Sequence, residues 1–179
     1  DGGWKLPAGD ASQSAPSAMS SGSPRRRNGV LSTISRSRAS FSSTTWSAEV
    51  ATEWFAADVA DTEQRREIFD WIEDLGDGLN ILVNNAGTNT RRAAMDYSDA
   101  EWRELFEANL FSAFELSRFA FPLLSQHASS SIVNVGSVSG LTHVRTGAVY
   151  GMTKAALHQL TKNLACEWAE DGVRVNAVA

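Results

Sequence analysis

Short apolar runs alternate with stretches whose apolar residues recur every three or four positions, and this alternation is confined to the chain beyond about residue 48. Leu79 to Val83 and Ile132 to Val135 are nearly continuous apolar runs, of the kind expected for parallel strands buried on both faces. Trp54 to Ala57 reads as a further strand ending at Asp58-Val59, and Val173 to Val178 as another. Between Trp54–Ala57 and Leu79–Val83, Ile68, Ile72 and Leu75 mark a helix face that Asp61 or Thr62 can cap and that Gly76 and Gly78 end. Ser98 or Asp99 can cap a second helix through Trp102, Leu105 and Phe106. Asn109 interrupts its pattern, which then runs on to about Gln126. A last helix carries Tyr150, Lys154, Leu157, Leu160, Leu164 and Trp168. Strands alternating with helices predict an α/β chain with a parallel sheet.

The first 48 residues do not share this order. No acidic residue occurs between Asp10 and Glu49, and Ser, Ala, Arg, Pro and Gly dominate, a composition that buries little. Val30, Leu31 and Ile34 can form a short strand or a turn of helix. The chain therefore divides into an irregular segment, 1–48, and a partial domain, 49–179. The basic run Arg25-Arg26-Arg27 is read as solvated charge rather than as a nucleic-acid patch.

A chain of 179 residues can bury one sizeable core, and its net charge of −5 argues against a general polyanion binder. Its single cysteine, Cys166, excludes an intramolecular disulfide and points to a reducing compartment. His127, His143 and His158 are too scattered to suggest a metal site, and no apolar run reaches the ~18 residues of a membrane span.

Candidate chemistry gathers between Ile132 and Leu164. A strand delivers Ser137 into a loop, and the following helix places Tyr150 and Lys154 one turn apart on one face. An ammonium near a phenol favours the phenolate, which suits acid–base chemistry. Upstream, the Leu79–Val83 run feeds Asn84-Asn85-Ala86-Gly87. Its amides can tie strand ends together, and its small residues let backbone approach a ligand. A packed ring beside a solvated lysine, and a plain turn after a strand, are the structural alternatives for these two stretches.

The serine at this spacing before Tyr-x-x-x-Lys, with Asn-Asn-Ala-Gly after a strand, resembles the short-chain dehydrogenase/reductase family, and its tropinone-reductase-like members in particular, over about residues 54–179. The resemblance implies a Rossmann-like doubly wound parallel sheet, here incomplete at both ends. It implies an NAD(P)-dependent oxidoreductase that interconverts a ketone and a secondary alcohol. Ser137 would polarise the substrate oxygen, Tyr150 would act as general acid or base, Lys154 would assist Tyr150 and hold the nicotinamide ribose, and Asn109 would place a relay water. Asp58 would bind the adenine amino group and Val59 would pack on its ring, with Asn85, Ala86 and Gly87 beside the cofactor. NAD or NADP is the implied cofactor and a small carbonyl or alcohol the partner. No metal, nucleic acid or membrane is expected. A cytoplasmic homo-oligomer is.

Two departures from the family pattern stand out. Gly136 occupies a position where many relatives have serine, and residues 1–48 lack the glycine-rich phosphate-binding turn expected there. A targeting peptide, a divergent terminus and an out-of-frame or mis-spliced segment with Trp4-Lys5-Leu6 as remnant all fit; the last is favoured. An inactive Rossmann fragment that only binds or oligomerises is the alternative function.

Overall fold

Parallel pairing of three apolar strands builds the frame on which every candidate side chain is carried. The computed structural model describes residues 31–32, 53–76, 78–145 and 147–179. The other expectations for residues 1–48 lie outside the described residues. Strands β3 (Ile81–Asn84), β4 (Ser130–Val135) and β5 (Val173–Val178) form a sheet in that order. Leu82 pairs with Ile132, and Ile132 with Val175, so a row of apolar side chains crosses one sheet face. Helices α3 (Ser112–Leu124) and α4 (Ala148–Glu167) cover that face through Leu116, Ala120, Leu124 and Leu164. The opposite face carries Ile81, Val83 and Val178, each more than half exposed.

The strand expected at Trp54–Ala57 is shorter than its composition suggests. Only Ala57–Asp58 (β2) is extended and paired, antiparallel, with Leu31–Ser32 (β1). Trp54 is 72% exposed, because among the described residues no longer strand lies beside it to extend the ladder. Asp61 is the cap of α1 (Thr62–Asp74), its carboxylate accepting from the amides of Glu63 and Gln64. Ser98 caps α2 (Asp99–Phe106) in a reciprocal box with Glu101. Among the described residues no helix is long and apolar enough to cross a membrane.

Helix α1 is fastened to α3 by a polar anchor that hydrophobic patterning does not reveal. Arg65 is 1% exposed. Its Nε donates to Glu115 at 2.8 Å, Nη1 to the carbonyl of Val59 at 2.5 Å and Nη2 to Thr62 Oγ1 at 2.8 Å, with Glu107 at 3.6 Å. A buried guanidinium is tolerable only with its donors satisfied, as these are. Replacing it with Met leaves the Val59 carbonyl and Glu115 without that donor. Arg65→Met is therefore expected to cost about 2 to 4 kcal/mol in urea unfolding, less than a fully buried pair because both glutamates reach solvent. A loss below about 0.5 kcal/mol, within the range of ordinary surface changes, would show that the cluster is not structural.

Candidate active site

The ends of β3 and β4 are locked by side chains before any chemistry is considered. Asn84 and Asn134 stand opposite each other in the parallel register, and both are buried. Asn84 Nδ2 donates to Asn134 Oδ1 at 2.8 Å, Asn134 Nδ2 donates to Thr161 Oγ1 at 2.9 Å, and Thr161 returns its proton to the Leu157 carbonyl. The tie between strand ends thus uses Asn84 and a partner on β4; Asn85 is exposed and plays no part in it.

A π-helical turn, Glu107–Phe111, joins α2 to α3 and carries Asn109. The amide of Ser112 reaches back five residues to Glu107, and the Ser112 hydroxyl donates to the Ala108 carbonyl at 2.7 Å that an α-helical amide would otherwise serve. Serine at this position therefore compensates for the wide turn. Asn109 is 1% exposed, accepts from the Thr88 amide at 2.7 Å and donates to the Thr88 carbonyl at 2.8 Å. It thereby pins the turn after β3 to the helix. Thr153 of α4 lies 3.4 Å from the same amide nitrogen. Gly87 has no side chain for good reason: a Cβ would come 3.0 Å from Asn109 Oδ1 and 3.7 Å from Lys154 Nζ.

Ser137 ends the extended run of β4, and its Oγ accepts from the Ser139 amide at 3.1 Å. That bond uses the hydroxyl as acceptor and leaves its proton for another partner. Ser137 and Tyr150 line one cavity of about 380 Å³ with Asn89, Arg91, Ser139, Val144, Arg145 and Gly147. Lys154 lies behind the ring, Nζ 5.8 Å from the Tyr150 centroid, and donates to the Val135 carbonyl at 2.7 Å. It is 4% exposed, and burial lowers its pKa below the usual lysine value.

The structure thus brings Asn109, Gly87 and Lys154 together, and places Ser137 and Tyr150 on a shared cavity wall. Asp58 and Val59 stand apart from that cavity. Asp58 is half-buried and its Oδ1 accepts from the Ala60 amide, so it does help to open the loop. Val59 is fully buried, and its side chain is part of the core cluster. Asn89, Arg91 and Arg145, none of them among the site residues expected from the sequence, also line the cavity. His158 is not among those expected residues either, its one signal being its position one turn beyond Lys154.

A parallel sheet whose strand ends present an Asn-Asn-Ala-Gly turn and a serine, beside a helix bearing Tyr150 and Lys154, is a Rossmann-type arrangement. The chain belongs to the short chain dehydrogenase family, whose model matches residues 29–179. That match reaches into the segment before residue 48. A tropinone reductase homolog of Arabidopsis thaliana is 54% identical over 101 residues, covering 56% of this chain and 38% of that protein. The structure of 4-hydroxyisoleucine dehydrogenase complexed with NADH and succinate matches with a TM-score of 0.65 and 30% identity, over 68% of this chain and 57% of the other. ElxO with NADP bound matches with a TM-score of 0.66 and 31% identity, over 70% of this chain and 51% of the other. The chain spans less than half the length of the curated relatives it matches.

The lowered pKa of Lys154 fixes the sign of a pH effect on stability. Between its folded value and the ordinary 10.5, the unfolded chain binds more protons than the folded one. The desolvation penalty on the ammonium is present below the folded value and relieved above it. The contribution of Lys154 to unfolding free energy is therefore expected to rise with pH through that window. Urea melts across it should show the rise in the wild type and a smaller slope in Lys154→Met; equal slopes would remove the assignment.

Proposed function

We propose that these residues are the proton-transfer centre of an NAD(P)-dependent oxidoreductase that interconverts a ketone and a secondary alcohol. The observation that carries the proposal is the cavity shared by Ser137 and Tyr150 with Lys154 behind the ring. A carbonyl oxygen placed between the two hydroxyls receives a hydrogen bond from Ser137, whose Oγ accepts from the Ser139 amide and keeps its proton to donate. Tyr150 gives its proton to that oxygen in reduction and takes it back in oxidation. Positive charge on Lys154 stabilises the negative charge that develops on the phenolic oxygen as the proton leaves.

NADH or NADPH, when bound, supplies the hydride. The residues present suit its ribose. Lys154 has one of its three protons committed to Val135, and Gly87 leaves bare backbone beside it. Asn85, Ala86 and Gly87 would flank the ribose, and Asp58 would take the adenine amino group. The relatives named with NADH and NADP support both forms as candidates. Asn109, with both ends of its amide bonded to Thr88, holds this wall in place and would set the relay water toward Lys154. Partly exposed Phe111, Phe114 and Met152 support the expectation of a homo-oligomer.

Turnover of a panel of ketones with NADH or NADPH tests the reading. Tyr150→Phe keeps the ring and removes the proton, so kcat is expected to fall by about 10²–10⁴-fold with folding intact by circular dichroism. Unchanged turnover in Tyr150→Phe would exclude Tyr150 as the acid–base group.

A further inference from the structure

Tyr150, Lys154 and His158 follow one another at helical i, i+4, i+8 spacing on α4, and the third makes a contact that the proposed reaction does not yet use. His158 Nε2 lies 3.2 Å from the carbonyl oxygen of Ser137. A carbonyl can only accept, so the nitrogen facing it must carry a proton. The same carbonyl accepts from the Gly140 amide at 2.9 Å. Both of its lone-pair directions are therefore engaged, one by the turn itself and one by the imidazole.

The ring fits because two glycines leave room for it. A Cβ on Gly136 would come 2.4 Å from His158 Cε1 and 2.9 Å from Nε2. On Gly140 it would meet Cδ2 at 2.9 Å and the Lys154 carbonyl carbon at 2.6 Å. The imidazole is thus wedged between the residue before Ser137 and the end of the turn after it. Glycine at 136, which looked like a simple departure from the family pattern, has a physical counterpart in the histidine that occupies the space.

We propose that His158 is a positioning residue for Ser137: its Nε2–H holds the Ser137 carbonyl, in the space left by Gly136, and so fixes the corner from which the serine hydroxyl addresses the substrate oxygen. This rests on the reading of Ser137 as the group that polarises that oxygen. Fixing the Ser137 peptide also fixes the Ser139 amide two residues on, which orients Oγ. A loosened carbonyl frees both.

Three measurements on the purified protein test it. Long-range ¹H–¹⁵N spectra of the neutral ring are expected to show His158 as the Nε2–H tautomer; an Nδ1–H or averaged ring overturns the proposal. His158→Leu keeps bulk but no donor and is expected to lower kcat by about ten- to a hundred-fold with the cofactor KM little changed, while His158→Gln, which restores a donor, recovers part of the loss. Gly136→Ala is expected to destabilise the protein less in a His158→Ala background than in the wild type, since part of its clash is with the ring. If Tyr150→Phe and Ser137→Ala abolish turnover while His158→Leu leaves kcat unchanged, the positioning role is wrong and the reaction stands. If Tyr150→Phe and Ser137→Ala leave turnover unchanged, the reaction reading fails and the positioning role fails with it.

Discussion

Lys154, His158 and Thr161 lie on successive turns of one helix face, and all three are bonded to the C-terminal end of β4 and the turn that follows it. Lys154 holds the Val135 carbonyl, His158 the Ser137 carbonyl and Thr161 the Asn134 side chain. The distance between the serine-bearing corner and the tyrosine-bearing helix is therefore set by polar bonds at three points rather than by apolar packing alone. Apolar contacts are non-directional and tolerate sliding, whereas hydrogen bonds to fixed carbonyls do not. The shared cavity depends on this grip.

The same logic extends to β3 through Asn84 and to the π-helical turn through Asn109. Asn84 passes the constraint from β4 to the strand before the Asn-Asn-Ala-Gly turn, and Asn109 clamps that turn to the helix beyond it. Buried amides of this kind are costly where a group goes unpaired, as Asn84 Oδ1 does, and in return they admit few alternative registers. A one-residue slip of β3 against β4 would separate Asn84 from Asn134 and turn Leu82 out of the core. Arg65 closes the arrangement at its far side by joining α1 to α3 and to the loop at Val59.

Much of this was legible in the residue pattern. Val173–Val178 is a strand with the bounds the sequence suggests, and the Asn109 interruption of the helical period is a real change of helix type. These signals are local, written in periodicity or in a cap. What escaped depends on partners distant in sequence. Arg65 looks like any polar residue on an amphipathic helix until Glu115 is beside it, and Gly136 looks permissive until His158 fills its space. Val59, just after the short strand β2, packs in the core with residues of α1 and α3, which its place in the sequence does not announce. Trp54 shows the converse: strand propensity with no longer strand beside it among the described residues leaves an exposed ring.

Counting hydrogen-bond valences separates the site residues by role more sharply than their identities do. The Asn109 amide is taken at both ends, so it can shape the wall but has little left with which to bind a reactant. Ser137 has committed one acceptor lone pair to the Ser139 amide and retains its proton, the part that a carbonyl oxygen would need. Lys154 has committed one proton to Val135 and retains two, enough to engage a ribose while staying behind the Tyr150 ring. Tyr150 uses its backbone carbonyl to receive the Thr153 hydroxyl and leaves its ring at the cavity wall. Ser137 and Lys154 are thus each held by part of their bonding capacity while the rest stays open, which lets one set of contacts fix the site without occupying it.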